Sequence, residues 1–156
     1  MALTGTYERN LDEKHRLAIP RRLLDEYGTA DLASLYIAPG TDQSLSLYSP
    51  VGFDRLARKI ARQAPTRAEV RDYVRLFYAR AEKVDLDSQS RIRIPDRLVE
   101  FAGLNRDVVL LGVNDHAELW DASRWLNFVS AKNAAFDEMA TKAFEAAAST
   151  PRERTG

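Results

Sequence analysis

The 156-residue chain contains no cysteine, which excludes disulfide bonds and thiolate metal sites and suits a reducing compartment. It also lacks the glycine-rich phosphate loops, nucleophile elbows and zinc-ligand spacings found in many enzymes. No apolar run is long enough to cross a bilayer, and the first residues lack the basic and apolar regions of a signal peptide. We therefore expect a cytoplasmic protein that is not an enzyme, with no cofactor, no membrane association and no small-molecule substrate.

Net charge is absent too, because 23 basic residues balance 23 acidic ones. The charges are nevertheless unevenly distributed. Residues 51–83 contain nine basic and four acidic side chains (9 − 4 = +5), and residues 98–148 contain four basic and eight acidic ones (4 − 8 = −4). This asymmetry could orient a positive face toward a polyanion, or let one copy of the chain dock head-to-tail on the next. Ordinary solvated helix faces would explain it equally well.

The most informative feature of the chain is a nine-residue segment that occurs twice, as Asp12–Pro20 and Asp87–Pro95. In each copy an aspartate precedes an arginine by four positions, and an apolar–x–apolar–Pro stretch follows. The separation of 75 residues (87 − 12) is kept up to a glycine in each copy, at Gly28 and Gly103. The chain is therefore an internal duplication whose repeated part includes an arginine beside a tight polar turn.

Periodicity and turn residues predict the same elements in each copy: a strand–turn–strand hairpin, a short helix with a left-handed glycine cap, and a second β-hairpin. Because Tyr48 corresponds to Trp120 at a spacing of only 72 residues, we place three extra residues in the loop after the first short helix. A helix from about Pro50 and another with a capping box formed by Thr66 and Glu69 separate the copies. A long helical pattern over about 122–148 follows the second copy, and residues 150–156 are predicted to be a frayed tail.

Arg16 and Arg91 are the first candidates for function. An aspartate four residues earlier, Asp12 or Asp87, can accept backbone N–H groups of the turn and orient the guanidinium. A single such turn would more simply be a stabilising ion pair of little energetic consequence. Both turns keep the aspartate and the arginine while their middle residues differ, which favours a functional interpretation.

The two segments, their spacing and the hairpin ends at Tyr48 and Trp120 resemble the MraZ family over roughly residues 5–125. The resemblance implies an α+β fold of two tandem AbrB-like swapped-hairpin modules (a double-split β-barrel), with peripheral helices and a long C-terminal helix. It implies the following divisions: a first module over 5–53, connecting helices over 54–80, a second module over 81–125, and a C-terminal helix and tail over 126–156.

The resemblance further implies a sequence-specific DNA-binding transcriptional regulator, a repressor of its own division and cell-wall gene cluster. Its partners would be double-stranded DNA at short promoter repeats and further copies of itself in a homo-oligomeric ring, associated with the nucleoid. Arg16 and Arg91 would contact guanine bidentately in the major groove. Lys14, Arg9, Arg21 and Arg93 would contact phosphates and set the register. The full set of expected DNA-binding residues is Arg16, Arg91, Asp12, Asp87, Arg9, Lys14, His15, Arg21 and Arg93.

The chain departs from the family pattern at the residue before each arginine, where the family usually has glycine and this chain has His15 and Ser90. If that position requires a positive φ, both residues are strained there. In addition, Arg93 stands where the first copy has Ala18, so the second module is expected to present an extra guanidinium.

Three alternatives remain open at this stage. The first is a ring-forming scaffold or antitoxin-like protein that binds another protein, which the same fold would allow. The second is a metal or acid–base cluster of Asp12, Glu13 and His15. The third is an aromatic binding patch in the region Trp120–Trp125, against which we weigh core or subunit packing.

Overall fold

The computed structural model describes residues 2–149 and contains eight strands and six α-helices in that range. The chain divides into two compact units, Met1–Ala122 and Ser123–Gly156. The elements are β1 Thr6–Asn10, β2 Arg16–Ala18, α1 Arg21–Glu26, β3 Ser34–Pro39, β4 Leu45–Tyr48, α2 Pro50–Ala61, α3 Ala68–Arg80, β5 Glu82–Asp85, β6 Arg91–Arg93, α4 Asp96–Phe101, β7 Asp107–Val113, β8 His116–Asp121, α5 Ala122–Lys132 and α6 Phe136–Ser149.

The strands of the two copies pair with each other. A six-stranded antiparallel sheet has the order β1-β7-β8-β4-β3-β5, and β2 pairs with β6 in a separate two-stranded ribbon. Only β3–β4 and β7–β8 pair within a copy, whereas β1–β7, β4–β8, β3–β5 and β2–β6 join one copy to the other. This arrangement confirms the expected α+β fold of two interlocked swapped-hairpin modules.

The first strand–turn–strand segment of each copy is not a closed hairpin, and that part of the prediction is wrong. The strand before the turn, β1, belongs to the six-stranded sheet, and the strand after it, β2, belongs to the ribbon. Strands of three residues have too little area to bury an apolar face alone. Leu17 and Ile92, the central residues of β2 and β6, instead pair across the copies and are 0% and 1% exposed.

An approximate two-fold axis relates the copies, because exchanging them reverses the strand order of the sheet. Their register also corrects the placement of the three-residue length difference. Arg9 and Val84 occupy equivalent positions in the two copies. Arg9 pairs with Val108, and Val84 pairs with Leu35. Leu35 and Val108 are therefore also equivalent, at a spacing of 73 residues (108 − 35). Two of the extra residues thus lie in the loop before β3. The third lies in the β3–β4 turn, because five residues separate the paired Pro39 and Leu45 whereas four separate the equivalent pair Gly112 and Ala117.

The core lies between the sheet and the ribbon. Leu35 and Ile37 of β3 are fully buried in one cluster with the inward residues of the ribbon and of α1 and α4. Tyr36, between them, points to the opposite face of the sheet and stacks on Phe53 of α2 with ring centroids 4.2 Å apart. Phe53 in turn stacks on Phe77 of α3 at 6.2 Å. The positively charged helices α2 and α3 therefore lie on the side of the sheet away from the ribbon.

Two helix predictions need correction. α3 begins at Ala68 with Arg67 as N-cap and no side-chain capping bond, so Thr66 and Glu69 do not form a capping box. The Glu69 carboxylate instead accepts a hydrogen bond from the guanidinium of Arg67 at 3.3 Å. The C-terminal pattern is helical as predicted but interrupted by a 3₁₀ turn at Asn133–Ala135, which separates α5 from α6. The predicted frayed tail lies outside the described residues.

Candidate nucleic-acid interface

The turn between β1 and β2 is organised by the carboxylate of Asp12. Its Oδ1 accepts hydrogen bonds from the backbone N–H groups of Lys14 and Arg16, at 2.9 and 2.8 Å. Its Oδ2 accepts from Arg16 Nε at 2.6 Å. The N–H of His15 donates to the carbonyl of Asp12 at 2.9 Å and closes the turn. One carboxylate thus holds both the turn backbone and the arginine that follows it.

The turn between β5 and β6 repeats this arrangement. Asp87 Oδ1 accepts from the N–H groups of Gln89 and Arg91, both at 2.9 Å, and its Oδ2 accepts from Arg91 Nε at 2.9 Å. Ser90 N–H donates to the carbonyl of Asp87 at 3.0 Å. The Lys14 and Gln89 positions show that the middle of the turn varies while the aspartate–arginine geometry is kept.

These contacts keep both aspartates ionised. The backbone N–H of Arg16, helped by its guanidinium and by the N–H of Lys14, lowers the pKa of Asp12 to about 2 against the opposing effect of desolvation. The N–H of Arg91 lowers the pKa of Asp87 in the same way. Of each arginine's guanidinium, the carboxylate accepts only from Nε. Within residues 2–149 no other acceptor contacts the terminal Nη groups. Two parallel donors of this kind match O6 and N7 of guanine.

The residues before the arginines adopt the left-handed conformation, with φ of 59° at His15 and 58° at Ser90. Glycine is ordinarily favoured in this conformation. His15 and Ser90 adopt it as well, so the departure from the family pattern leaves the turn intact. Each of these residues is also bonded to the other copy. The carbonyl of His15 accepts from the N–H of Ile94 at 2.8 Å, and that of Ser90 accepts from the N–H of Ile19 at 3.0 Å. These bonds help to hold the strained residues in place.

The ribbon places three arginines on one surface. In the antiparallel register Arg16 is opposite Arg93, and Ala18 is opposite Arg91. Directly opposed residues and alternate residues of a strand share a face, so all four lie on the face away from the core. We call this surface the outer ribbon face. A two-stranded ribbon is one of the elements that the major groove admits.

The other predicted residues lie at varying positions. Lys14 is exposed at the tip of the first turn. Arg21 is the first residue of α1 and is ion-paired with Asp25 at 3.2 Å. Arg9 lies on β1, at an edge of the six-stranded sheet, where its guanidinium is 5.6 Å from the ring centroid of Tyr7. The structure therefore places Arg16, Arg91 and Arg93 together on the outer ribbon face and leaves Arg9 apart from it.

Asp96 is a residue of this region that sequence reasoning missed. Its Oδ1 lies 2.9 Å from His15 Nδ1 and joins the first turn to the start of α4 in the other module. The equivalent positions in the other half are Ser90 and Arg21. The 75-residue offset, which aligns Asp96 with Arg21, is the signal that could have drawn attention to it.

The competing chemical interpretations find no support in this geometry. The carboxylate oxygens of Asp12 are engaged by the turn and by Arg16, and the ring of His15 contacts Asp96 instead of the carboxylates of Asp12 or Glu13. Across residues 2–149 no three His, Cys, Asp or Glu side chains are grouped as metal ligands would be. Trp120 is only 4% exposed and its Nε1 donates to Glu118, so it is not part of an open aromatic patch.

His116, at the tip of the β7–β8 hairpin, belongs to the six-stranded sheet and not to the ribbon. Its ring stacks on Tyr48 with centroids 4.8 Å apart, and its Nδ1 lies 2.7 Å from Asp115 Oδ1. Burial lowers the pKa of this histidine, but the carboxylates of Glu118 and Asp115 outweigh burial and leave the pKa raised. In residues 2–149 no helix is both long and apolar enough to cross a membrane.

Comparison with known proteins finds the same two-copy organisation. The family model described as "MraZ protein, putative antitoxin-like" matches the chain twice, over residues 2–76 and 77–147. The chain is 34% identical over 136 residues to the "Transcriptional regulator MraZ" of Syntrophomonas wolfei, a match that covers 87% of this chain and 92% of that protein.

Two further proteins with the same name have similar identity to this chain. The one from Thermobifida fusca is 36% identical, with 87% of this chain and 92% of the relative covered. The one from Leifsonia xyli is 37% identical, with coverages of 85% and 90%. All three relatives are named as regulators and none as an enzyme. A twofold family match and relatives of this similarity over most of their length establish that the chain belongs to the MraZ family.

Proposed function

We propose that this chain is a sequence-specific DNA-binding transcriptional regulator that recognises short promoter repeats. The observation that carries the proposal is the pair of aspartate-held arginines, Arg16 and Arg91, on the outer ribbon face. Each is bound through Nε, so its terminal amino groups are available for guanine O6 and N7. The names of the relatives support the same function.

The remaining cations suit contacts that position the protein on the duplex. Lys14 is exposed on the first turn, and Arg21 starts the short helix that follows the ribbon strand β2. Contacts from such side chains to phosphates set register without specifying sequence. Arg9, on the edge strand β1, would contact a flanking phosphate if the duplex extends beyond the ribbon. Because these residues would neutralise phosphates, we expect the affinity for DNA to fall as the salt concentration rises.

A second part of the proposal is self-assembly into a ring. The basic helices α2 and α3 lie on the side of the sheet away from the ribbon, so their charge is available for protein contact while the ribbon faces DNA. In the second unit, α6 exposes Phe136 and Phe144, which are 66% and 78% accessible, within an acidic stretch. Complementary surfaces on one chain generate heterologous contacts, which give rings when they close. Several copies in a ring would contact successive repeats together and raise the effective concentration.

The regulatory role that fits this proposal is repression of the chain's own division and cell-wall gene cluster, in the cytoplasm at the nucleoid. The relatives' names support regulation of transcription, and repression, the gene cluster and the nucleoid are our proposal beyond those names. Arg16 and Arg91 would occupy promoter guanines, and a ring bound across several repeats would compete with polymerase for the same DNA.

A gel shift with the DNA upstream of the chain's own gene, titrated with salt, tests the proposal. We expect binding to the upstream fragment to exceed binding to a scrambled fragment of the same length, and the excess to persist as salt is raised. Equal affinity for both fragments would contradict sequence-specific binding. A chain that forms a ring but binds neither fragment would favour the protein-scaffold alternative.

A further inference from the structure

The two halves of the outer ribbon face are related by the pseudo-two-fold axis but differ in chemistry. Arg93 is the repeat equivalent of Ala18, so the axis relates a guanidinium to a methyl group. Cross-strand register then places Arg93 opposite Arg16, although Arg93 belongs to the second copy of the sequence. One half of the face, which we call the first half, therefore presents Arg16 with Arg93. The second half presents Arg91 with Ala18.

The first half places two like charges side by side. Directly opposed residues of an antiparallel pair have Cβ atoms roughly 5 Å apart, and opposed like charges destabilise a sheet. Arg16 is neutralised by Asp12, at 2.6 Å. Arg93 is exposed, and no carboxylate in residues 2–149 is within ion-pairing distance of its guanidinium. An exposed, uncompensated guanidinium beside a base-contacting arginine suits a polyanionic ligand on this face.

The acidic residues that share a cleft with Arg93 do not change this conclusion. Glu82 and Asp96 line that cleft, but each has its own partner. Arg97 Nη2 contacts Glu82 at 3.0 Å, and His15 Nδ1 contacts Asp96 at 2.9 Å. Asp85, the third carboxylate of the cleft, is at the end of β5 and exposed to solvent. Within residues 2–149, none of these three carboxylates forms a salt bridge with Arg93.

We infer that Arg93 is a specificity-determining residue that contacts a base edge next to the one contacted by Arg16. This inference rests on the proposed function. Successive bases of one strand are about 3.4 Å apart along the axis, so two neighbouring guanidinium groups can serve neighbouring guanines. The methyl group of Ala18 offers the second half at most an apolar contact with a thymine methyl. One chain therefore specifies more base pairs under its first half than under its second, and its DNA site is asymmetric despite the symmetric fold.

Selection from a duplex library with a randomised core, followed by sequencing, tests this inference with the full-length chain. Wild type should enrich a motif with guanines more strongly specified on one side. Arg93→Ala should lose specification at one base pair on that side and bind the best wild-type site roughly 5- to 150-fold more weakly, the equivalent of one bidentate base contact. Ala18→Arg should add specification on the other side and make the motif more symmetric. Lys132→Ala, which removes an exposed lysine from the end of α5, should leave the motif unchanged.

Two results would contradict the inference. An Arg93→Ala motif identical to that of wild type would leave Arg93 without a base contact. An equal loss of affinity for the selected site and for a scrambled duplex would make it a phosphate contact. Thermal melting of each variant identifies any loss of DNA binding that is caused by unfolding. Ala18→Arg is an independent test, because it should gain specification of a base pair and unfolding cannot produce such a gain. If wild type enriches no motif, the proposed function fails; if it enriches a motif that Arg93→Ala leaves intact, only this inference fails.

Discussion

Asp12 Oδ2 accepts a hydrogen bond from Arg16 Nε at 2.6 Å, while its Oδ1 holds the backbone of the same turn. A single carboxylate thereby fixes the loop and aims the guanidinium. The equivalent aspartate–arginine pair in the second module has the same connections. Because the two functions of the carboxylate use different oxygens, substitutions can separate orientation of the arginine from stability of the turn.

Replacing either arginine should weaken specific DNA binding without unfolding the chain. Arg16→Ala and Arg91→Ala each remove one expected bidentate guanine contact, which is worth about 1–3 kcal/mol. Both side chains are partly exposed, and each aspartate retains its two backbone donors, so we expect a change of no more than about 1 kcal/mol in the free energy of unfolding. Affinity for upstream and scrambled DNA, with thermal melting, provides the measurement. If both variants bind upstream DNA as tightly as wild type, these arginines form structural ion pairs and do not contact bases.

Asp12→Asn should disturb the orientation of Arg16 while keeping the turn. The amide oxygen can still accept the backbone N–H groups, but the amide NH₂ cannot accept from Arg16 Nε. The pKa of Asp12 is about 2, below its ordinary value of 3.8, so its charge stabilises the fold above pH 3.8, and this contribution is lost as pH falls through 2. The stability gap between wild type and Asp12→Asn should therefore close over that range. Melting curves from pH 2 to 5 measure it, with Asp85→Asn at an exposed site as the control; a gap independent of pH would contradict the assignment.

Lys14→Ala and Arg21→Ala should reduce affinity for all DNA sequences alike. Each change removes one expected phosphate contact, and the slope of log affinity against log salt should flatten by about one unit. Binding isotherms on upstream and scrambled duplexes at several salt concentrations check this. A loss confined to the upstream sequence would show that these cations contact bases instead.

The two modules should not fold when separated. The sheet and the ribbon are built from pairs that join one copy to the other, and Gly112 lies so close to the backbone of Leu3 and Thr4 that a Cβ would overlap it. Residues 1–62 and 66–156, expressed alone, should lack a cooperative thermal transition because each would expose half of a shared core. Circular dichroism of each piece, and of the two mixed, is the measurement. Two independently melting halves would rule out this interlocked arrangement.

The intact chain should form a closed homo-oligomer at micromolar concentration. The oppositely charged segments 51–83 and 98–148 predict that high salt weakens the contact, whereas the exposed apolar side chains of α6 predict that it does not abolish it. Light scattering at low and high salt gives the mass directly. A monomer in low salt would refute the ring, and a Phe136→Ser and Phe144→Ser double variant that assembles like wild type would exclude α6 from the contact.

Much of this protein follows from its sequence alone. The 75-residue repeat identifies the duplicated turns, and the period-two pattern around Leu17 and Ile92 predicts which side of each strand is buried. Gly28 and Gly103 end the short helices with positive φ, as their positions predict. These features are local, since a turn, a cap or a strand face depends on neighbouring residues and backbone geometry.

Only the tertiary structure decided which strands pair, and the pairing decided which side chains share the surface that we propose contacts DNA. Nothing near β1 in the sequence indicates that it pairs with β7 and not β2, because strand partners depend on burial of a core shared by both copies. The same cross-copy register places Arg93 beside Arg16 on the outer ribbon face, and not beside Arg91. It also brings Asp96 to His15. The sequence thus determined the composition of each turn. The interlocking of two short modules, neither able to bury its own apolar face, determined which side chains act together.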